Sequence, residues 1–218
     1  MRAVLFDFDG TLADSAADLG GALNRMRLDR GLAAMPIEVL RGHASSGARG
    51  LLQIGFELRP QDPDFTAMRE EFLANYRAAI CVHTHLFEGI EELLAAIEGR
   101  GMIWGIVTNK AIGLTTPLVE QLGLAERAGC VVGGDTTPHL KPHPASLLHA
   151  AGLIQVPPAQ CCYLGDDLRD IQAARAAGMF SVAVEYGYGG SGPNGPRSWN
   201  AEAVIATPLD LLPHLPPV

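Results

Sequence analysis

The stretch Arg2-Ala3-Val4-Leu5-Phe6-Asp7-Phe8-Asp9-Gly10-Thr11-Leu12 decides how this chain is read. Apolar residues run unbroken from Ala3 to Phe6, the pattern of a strand covered on both faces in a parallel sheet. A strand is expected over 2–8. Two carboxylates one residue apart lie at its end, and Gly10 supplies the conformational freedom for a sharp turn just beyond them.

Outward from this stretch, short runs rich in Val, Ile and Leu recur at 103–108, 130–132, 161–164 and 180–184. Helical patterns separate them at 89–100, 115–122, 144–151 and 171–177. That alternation predicts an α/β fold, a Rossmann-like parallel sheet core flanked by helices. From about Ser15 to His85 the rhythm breaks: helical patterns at 19–32 and 65–79 stand without a strand between them. The reading is an all-helical cap domain over 15–85, inserted after the first strand, with 1–14 and 86–218 forming the core. The run Gly187-Tyr188-Gly189-Gly190-Ser191-Gly192 matches G-x-G-x-x-G, but a dinucleotide site needs a helix to begin there. Pro193-Asn194-Gly195-Pro196 follows instead, so the segment is read as a surface loop.

Composition narrows the partners. A formal net charge of −8 argues against nucleic acid or another polyanion, so an anionic ligand must be held by locally gathered positive groups. Cys81, Cys130, Cys161 and Cys162 show no CxxC or zinc spacing and are read as buried reduced thiols, Cys161 and Cys162 side by side in an apolar run. No apolar stretch approaches the ~18 residues that span a membrane, and the start reads as a strand, not as a signal peptide. A cytoplasmic protein is expected, a monomer or small homo-oligomer acting on a small phosphorylated metabolite.

In open parallel sheets ligands bind beyond the carboxyl ends of the strands, and the chemically unusual residues of this chain gather there. Asp7 and Asp9 follow the first strand, Thr108-Asn109-Lys110 the second, Lys141-Pro142 precedes a helix, and Gly165-Asp166-Asp167-Leu168-Arg169-Asp170 follows a later strand. Singly, each has a plain reading: a solvated turn, or an acidic helix start favoured by the macrodipole. Together and in this order they describe chemistry. One carboxylate can attack phosphorus, and another can protonate the leaving oxygen and later deprotonate water. Gathered acids repel an anion unless a hard cation intervenes, and Mg²⁺ takes carboxylate and phosphate oxygens. Lys141 offers a point charge, and Thr108 a hydroxyl, for phosphate oxygens.

This set resembles the haloacid dehalogenase superfamily, in its phosphatase branch, along the whole chain. The resemblance implies that Asp7 is the nucleophile and a magnesium ligand, and that Asp9 is the acid and base with its main-chain carbonyl also on the metal. It further implies that Thr108 and Asn109 bind phosphate, Lys141 stabilises charge, Asp166 ligates magnesium and Asp170 orients the metal's waters. Dehalogenases lack an acid at the position of Asp9, so its presence points to phosphoryl transfer. Within the branch, Ser45-Ser46-Gly47-Ala48-Arg49, Ile103-Trp104-Gly105-Ile106-Val107-Thr108-Asn109-Lys110 and Tyr186-Gly187-Tyr188 are similar to the phosphoglycolate phosphatase group. The likeness is closer still to bacterial N-acetylmuramic acid 6-phosphate phosphatases. Both substrates pair a phosphate ester with a carboxylate, which makes Arg41, Ser46 and Arg49 the expected substrate-reading residues of the cap. The same core also serves sugar phosphomutases. A non-catalytic binding protein would be expected to have lost a motif residue, and none is missing.

Overall fold

The computed structural model describes residues 1–189 and 194–217. Its strands are β1 (Ala3–Phe6), β2 (Ala13–Asp14), β3 (His85–Leu86), β4 (Ile103–Val107), β5 (Val131–Val132), β6 (Cys161–Gly165), β7 (Phe180–Val184) and β8 (Ala203–Ile205). Six of them form one sheet in the order β5-β4-β1-β6-β7-β8, every adjacent pair parallel. β1 lies between β4 and β6, and its four side chains are fully buried, as a strand covered on both faces requires. β2 and β3 pair separately.

The sequence pattern pointed to five strands, and the sheet has a sixth. β8 is an edge strand of three residues in which only Val204 faces outward, too short for a period of two to register. Four of the strands that carry or flank the site agree with the expected positions to within two residues at either end.

The chain divides into two compact units, Met1–Ala13 with Leu86–Val218, and Asp14–His85. The second unit holds α1 (Ala16–Asp29), α2 (Ile37–Ala44), α3 (Gly47–Phe56) and α4 (Phe65–Ala78). Its core gathers Leu19, Leu23, Met26, Leu40, Leu51, Leu52, Phe72 and Tyr76, all buried, and each large apolar side chain of this kind contributes about 1.5–3 kcal/mol. The buried Asp18 carboxylate of α1 accepts hydrogen bonds from the amides of Val82 (3.1 Å), His83 (3.0 Å) and Thr84 (2.8 Å) and from the Thr84 hydroxyl (2.7 Å). One charged group thereby satisfies a segment that has no regular partner of its own.

The first unit carries α5 (Ile90–Gly99), α6 (Ile112–Gln121), α7 (Ala145–Leu153) and α8 (Leu168–Ala177). α8 begins three residues before the apolar pattern suggests, because Asp167 and Asp170 close a capping box around its first turn. All four cysteines are free, and Cys130, Cys161 and Cys162 are buried. Burial pushes the Cys130 and Cys161 thiols up to about 11, which keeps them protonated and unreactive. No helix among the described residues is long and apolar enough to cross a membrane. Residues 190–193, within the expected 187–196 loop and its G-x-G-x-x-G match, lie outside the described residues.

Candidate active site

The site is built on backbone that continues the sheet ladder by one residue. Asp7 N donates to Leu164 O (2.9 Å) and Thr108 N to Val132 O (2.9 Å), so both residues are fixed just past β1 and β4. Beyond Asp7 the chain turns: Leu12 N and Ala13 N both donate to Phe8 O, and Gly10 N to Ala13 O at 3.0 Å. Gly10 adopts φ +82°, and a Cβ there would lie 2.2 Å from Asp166 Oδ2. Glycine is thus demanded twice, by conformation and by the carboxylate against it.

Asp7, Asp166 and Asp170 each offer an oxygen, all within 4.8 Å of one another. Lys141 is buried among them. Its Nζ donates to Tyr163 Oη (2.7 Å) and Val107 O (3.2 Å) and pairs with Asp170 Oδ1 at 2.7 Å. Asp7 Oδ1 is buried 2.9 Å from the same nitrogen and has no hydrogen-bond partner besides this ion pair. A nucleophilic oxygen with a lone pair uncommitted is what attack on phosphorus needs.

The charges are strained in a consistent direction. Burial, then Asp7 and Asp170, pushes the Asp166 carboxyl well above its ordinary value. Burial also raises Asp170, against the opposing pull of Lys141, to about 7. Burial works against the Lys141 charge, yet Asp170 and Asp7 outweigh it and hold the ammonium's pKa above normal. One buried cation does not balance three buried carboxylates. An orphaned carboxylate oxygen, hard oxygen donors and this excess of negative charge fit a divalent cation such as Mg²⁺.

Neighbouring backbone arranges these groups. Asn109 brackets Lys141, its Nδ2 donating to Lys141 O (3.1 Å) and its Oδ1 accepting from Lys141 N (2.9 Å). Asp170 Oδ2 accepts from Asp167 N at 3.1 Å while Oδ1 faces Lys141, so both its oxygens are engaged. Asp167 caps α8 and grips Arg169, which makes it a structural residue. Tyr188 N donates to Asp166 Oδ2 at 2.8 Å. Thr11 Oγ1 stands 3.4 Å from Asp166 Oδ1. Tyr186 stacks at a tilt on Phe87, ring centroids 5.2 Å apart.

The structure therefore brings Asp7, Asp9, Thr108, Asn109, Lys141, Asp166 and Asp170 to the carboxyl ends of β1, β4 and β6 and the segment before α7. Asp9 differs from the other acids: its carboxylate pairs with Lys110 Nζ at 2.9 Å and does not belong to the acidic trio. The cap residues lie within the Asp14–His85 unit. Arg41 on α2 forms an ion pair with Asp14, Ser46 precedes α3, and Arg49 on α3 is exposed. Sequence reasoning gave no role to Lys110 or Tyr163. A tyrosine inside the apolar run Cys161-Cys162-Tyr163-Leu164 was a readable signal, since a buried phenol must find a partner.

This fold and this arrangement define a haloacid dehalogenase-like hydrolase, and the chain belongs to that family, whose model matches residues 4–184. Among proteins of known name, it is 43% identical to the N-acetylmuramic acid 6-phosphate phosphatase of Pseudomonas putida, over 97% of this chain and 94% of that protein. It is 44% identical to a phosphoglycolate phosphatase of Xanthomonas campestris pv. campestris, over 96% of this chain and 94% of that one. The crystal structure of a predicted phosphoglycolate phosphatase from Haemophilus somnus superposes with a TM-score of 0.85 at 27% identity, covering 98% of this chain and 97% of that chain.

Proposed function

We propose that this enzyme is a magnesium-dependent phosphomonoesterase that acts on a small phosphorylated acid through an aspartyl-phosphate on Asp7. Phosphoglycolate and N-acetylmuramic acid 6-phosphate are the candidate substrates, since proteins named for each match nearly the full chain. The observation that carries the reading is the buried Asp7 Oδ1, paired with Lys141 at 2.9 Å and set within the acidic trio.

Asp7 attacks phosphorus, forming the acyl phosphate as the ester oxygen departs. Asp9 gives its proton to that oxygen. Lys141 offsets the charge of the transferring group, and Thr108 with the Asn109 backbone holds phosphate oxygens. Asp9, now a carboxylate, takes a proton from water; the water oxygen bonds to phosphorus, the bond to Asp7 breaks, and inorganic phosphate leaves with Asp7 restored. The Asp7 and Asp166 carboxylates and the Asp9 main-chain carbonyl would hold Mg²⁺, with Asp170 orienting its waters. When bound, the cation neutralises the gathered carboxylates and the phosphate. Substrate recognition is assigned to Arg41, Ser46 and Arg49.

Asp7→Asn should lower phosphate release by roughly 10³-fold or more, the scale expected when a nucleophile is lost, with the circular dichroism spectrum unchanged. Activity near wild type in that variant would remove Asp7 from the mechanism. A kcat/KM panel of phosphoglycolate, N-acetylmuramic acid 6-phosphate and sugar phosphates, scored for free phosphate against isomer formation, identifies the substrate and separates hydrolysis from mutase chemistry.

A further inference from the structure

We propose that Lys110 is a positioning residue for Asp9, its ammonium fixing the carboxylate in the direction from which it serves the leaving-group oxygen. The inference rests on the reading of Asp9 as the acid and base. Lys110 Nζ lies 2.9 Å from Asp9 Oδ1, with side-chain exposures of only 7% and 15%. Solvent screening of such a pair is weak, so it is held more firmly than a surface ion pair.

The lysine is itself anchored. Its N–H donates to Thr108 Oγ1 at 3.2 Å. Its carbonyl accepts from Gly134 N at 2.7 Å and from Thr115 Oγ1 at 3.3 Å. Its ammonium stands 5.8 Å from the centroid of Phe8, the residue between the two catalytic carboxylates. A side chain fixed at the backbone and again over Phe8 has little freedom except to meet Asp9. The site thus carries two lysines with separate duties: Lys141 is committed to Asp170, Tyr163 and Asp7, and Lys110 to Asp9. Asp9 needs such a constraint, because the chain leaves it through the left-handed turn at Gly10. A proton donor turned away from the departing oxygen gives little help.

The test is a series of substituted phenyl phosphates, from p-nitrophenyl phosphate to phenyl phosphate, assayed with wild type, Asp9→Asn, Lys110→Met, Lys110→Gln and Lys110→Arg. The readout is kcat/KM, which covers only the steps up to departure of the phenol. Poor leaving groups need a proton and good ones do not. Asp9→Asn and Lys110→Met are expected to lose roughly tenfold or more on phenyl phosphate but less than about threefold on p-nitrophenyl phosphate, steepening the dependence on leaving-group pKa. Lys110→Arg, which keeps the charge, should recover part of the lost slope. A lysine that merely supports the fold would lower every ester alike. If Asp9→Asn steepens the dependence while Lys110→Met and Lys110→Gln shift it in parallel or not at all, the inference is overturned and the role of Asp9 stands. If Asp9→Asn leaves the slope unchanged, the assignment of Asp9 fails and the inference with it. Lys110→Gln serves the same comparison should the methionine variant fail to fold.

Discussion

Tyr163 shares the Lys141 ammonium that also pairs with Asp7, the proposed nucleophile. Its Oη accepts from Lys141 Nζ at 2.7 Å and donates to Val107 O at 2.6 Å, while the same ammonium pairs with Asp7 Oδ1 at 2.9 Å. Tyr163→Phe removes one acceptor and lets the ammonium turn further toward its carboxylate neighbours, Asp7 Oδ1 at 2.9 Å among them. Stability should fall by only about 1 kcal/mol, the usual net value of one hydrogen bond, as read by urea denaturation. The kcat should drop several-fold, because the oxygen proposed to attack is then held more tightly by the ammonium. Equal loss of stability with undiminished kcat would contradict this account. At this scale the sequence was legible where charge stands at a strand end, as at Asp7 and Asp166, or just before a helix, as at Lys141. It was silent where the contact depends on register across the sheet: nothing in the spacing of Lys110 and Asp9, or of Tyr163 and Lys141, brings them together before β1, β4 and β6 are aligned.

The segment after β7 works as an element. It carries Tyr186, Gly187 and Tyr188 past Asp166, and Tyr188 N donates to that carboxylate at 2.8 Å. A Cβ at Gly187 would meet Gly10 O at 2.2 Å and Asp166 Cβ at 2.4 Å. Neither obstacle is the loose end of a flexible chain, so Gly187→Ala must push apart the turn after β1 and the loop after β6. A displacement of an ångström at a positioned group costs up to about 10²-fold in rate. Gly187→Ala is therefore expected to lower kcat/KM by about tenfold or more while far-ultraviolet circular dichroism stays unchanged; an alanine variant of normal activity would show that the two loops yield freely. The sequence pointed to a loop here but not to its packing. Long, strongly patterned elements such as β4, α1 and α4 were visible in the residue pattern. Three-residue β8 and the first turn of α8 were not, because the former is shorter than its own signal and the latter is held by carboxylates, not by apolar residues.

For the molecule as a whole, Asp166 and Asp170 make stability depend on pH in a direction opposite to that of salt-bridged carboxylates. Asp170 rises from 3.8 to about 7, driven by burial and by Asp7 against the pull of Lys141, and Asp166 is raised as well. The folded state therefore binds these protons more tightly than the unfolded chain. The Asp170 contribution is fully present below pH ~4 and is lost as pH rises through about 7, by at most about 1.4 kcal/mol per pH unit, and the raised Asp166 acts in the same direction. A divalent cation binds the deprotonated form, displaces those protons and stabilises the folded state in proportion to its occupancy. Comparing the chelator-treated protein with the same protein in millimolar MgCl₂ cancels every titration the cation does not touch. The Tm difference between the two should be small near pH 5 and grow steadily to pH 8, when followed by scanning calorimetry. Asp166→Asn should flatten that growth, since it removes both a proposed ligand and one of the raised protons. A magnesium increment that is independent of pH, or that survives Asp166→Asn undiminished, would place the cation away from Asp7, Asp166 and Asp170.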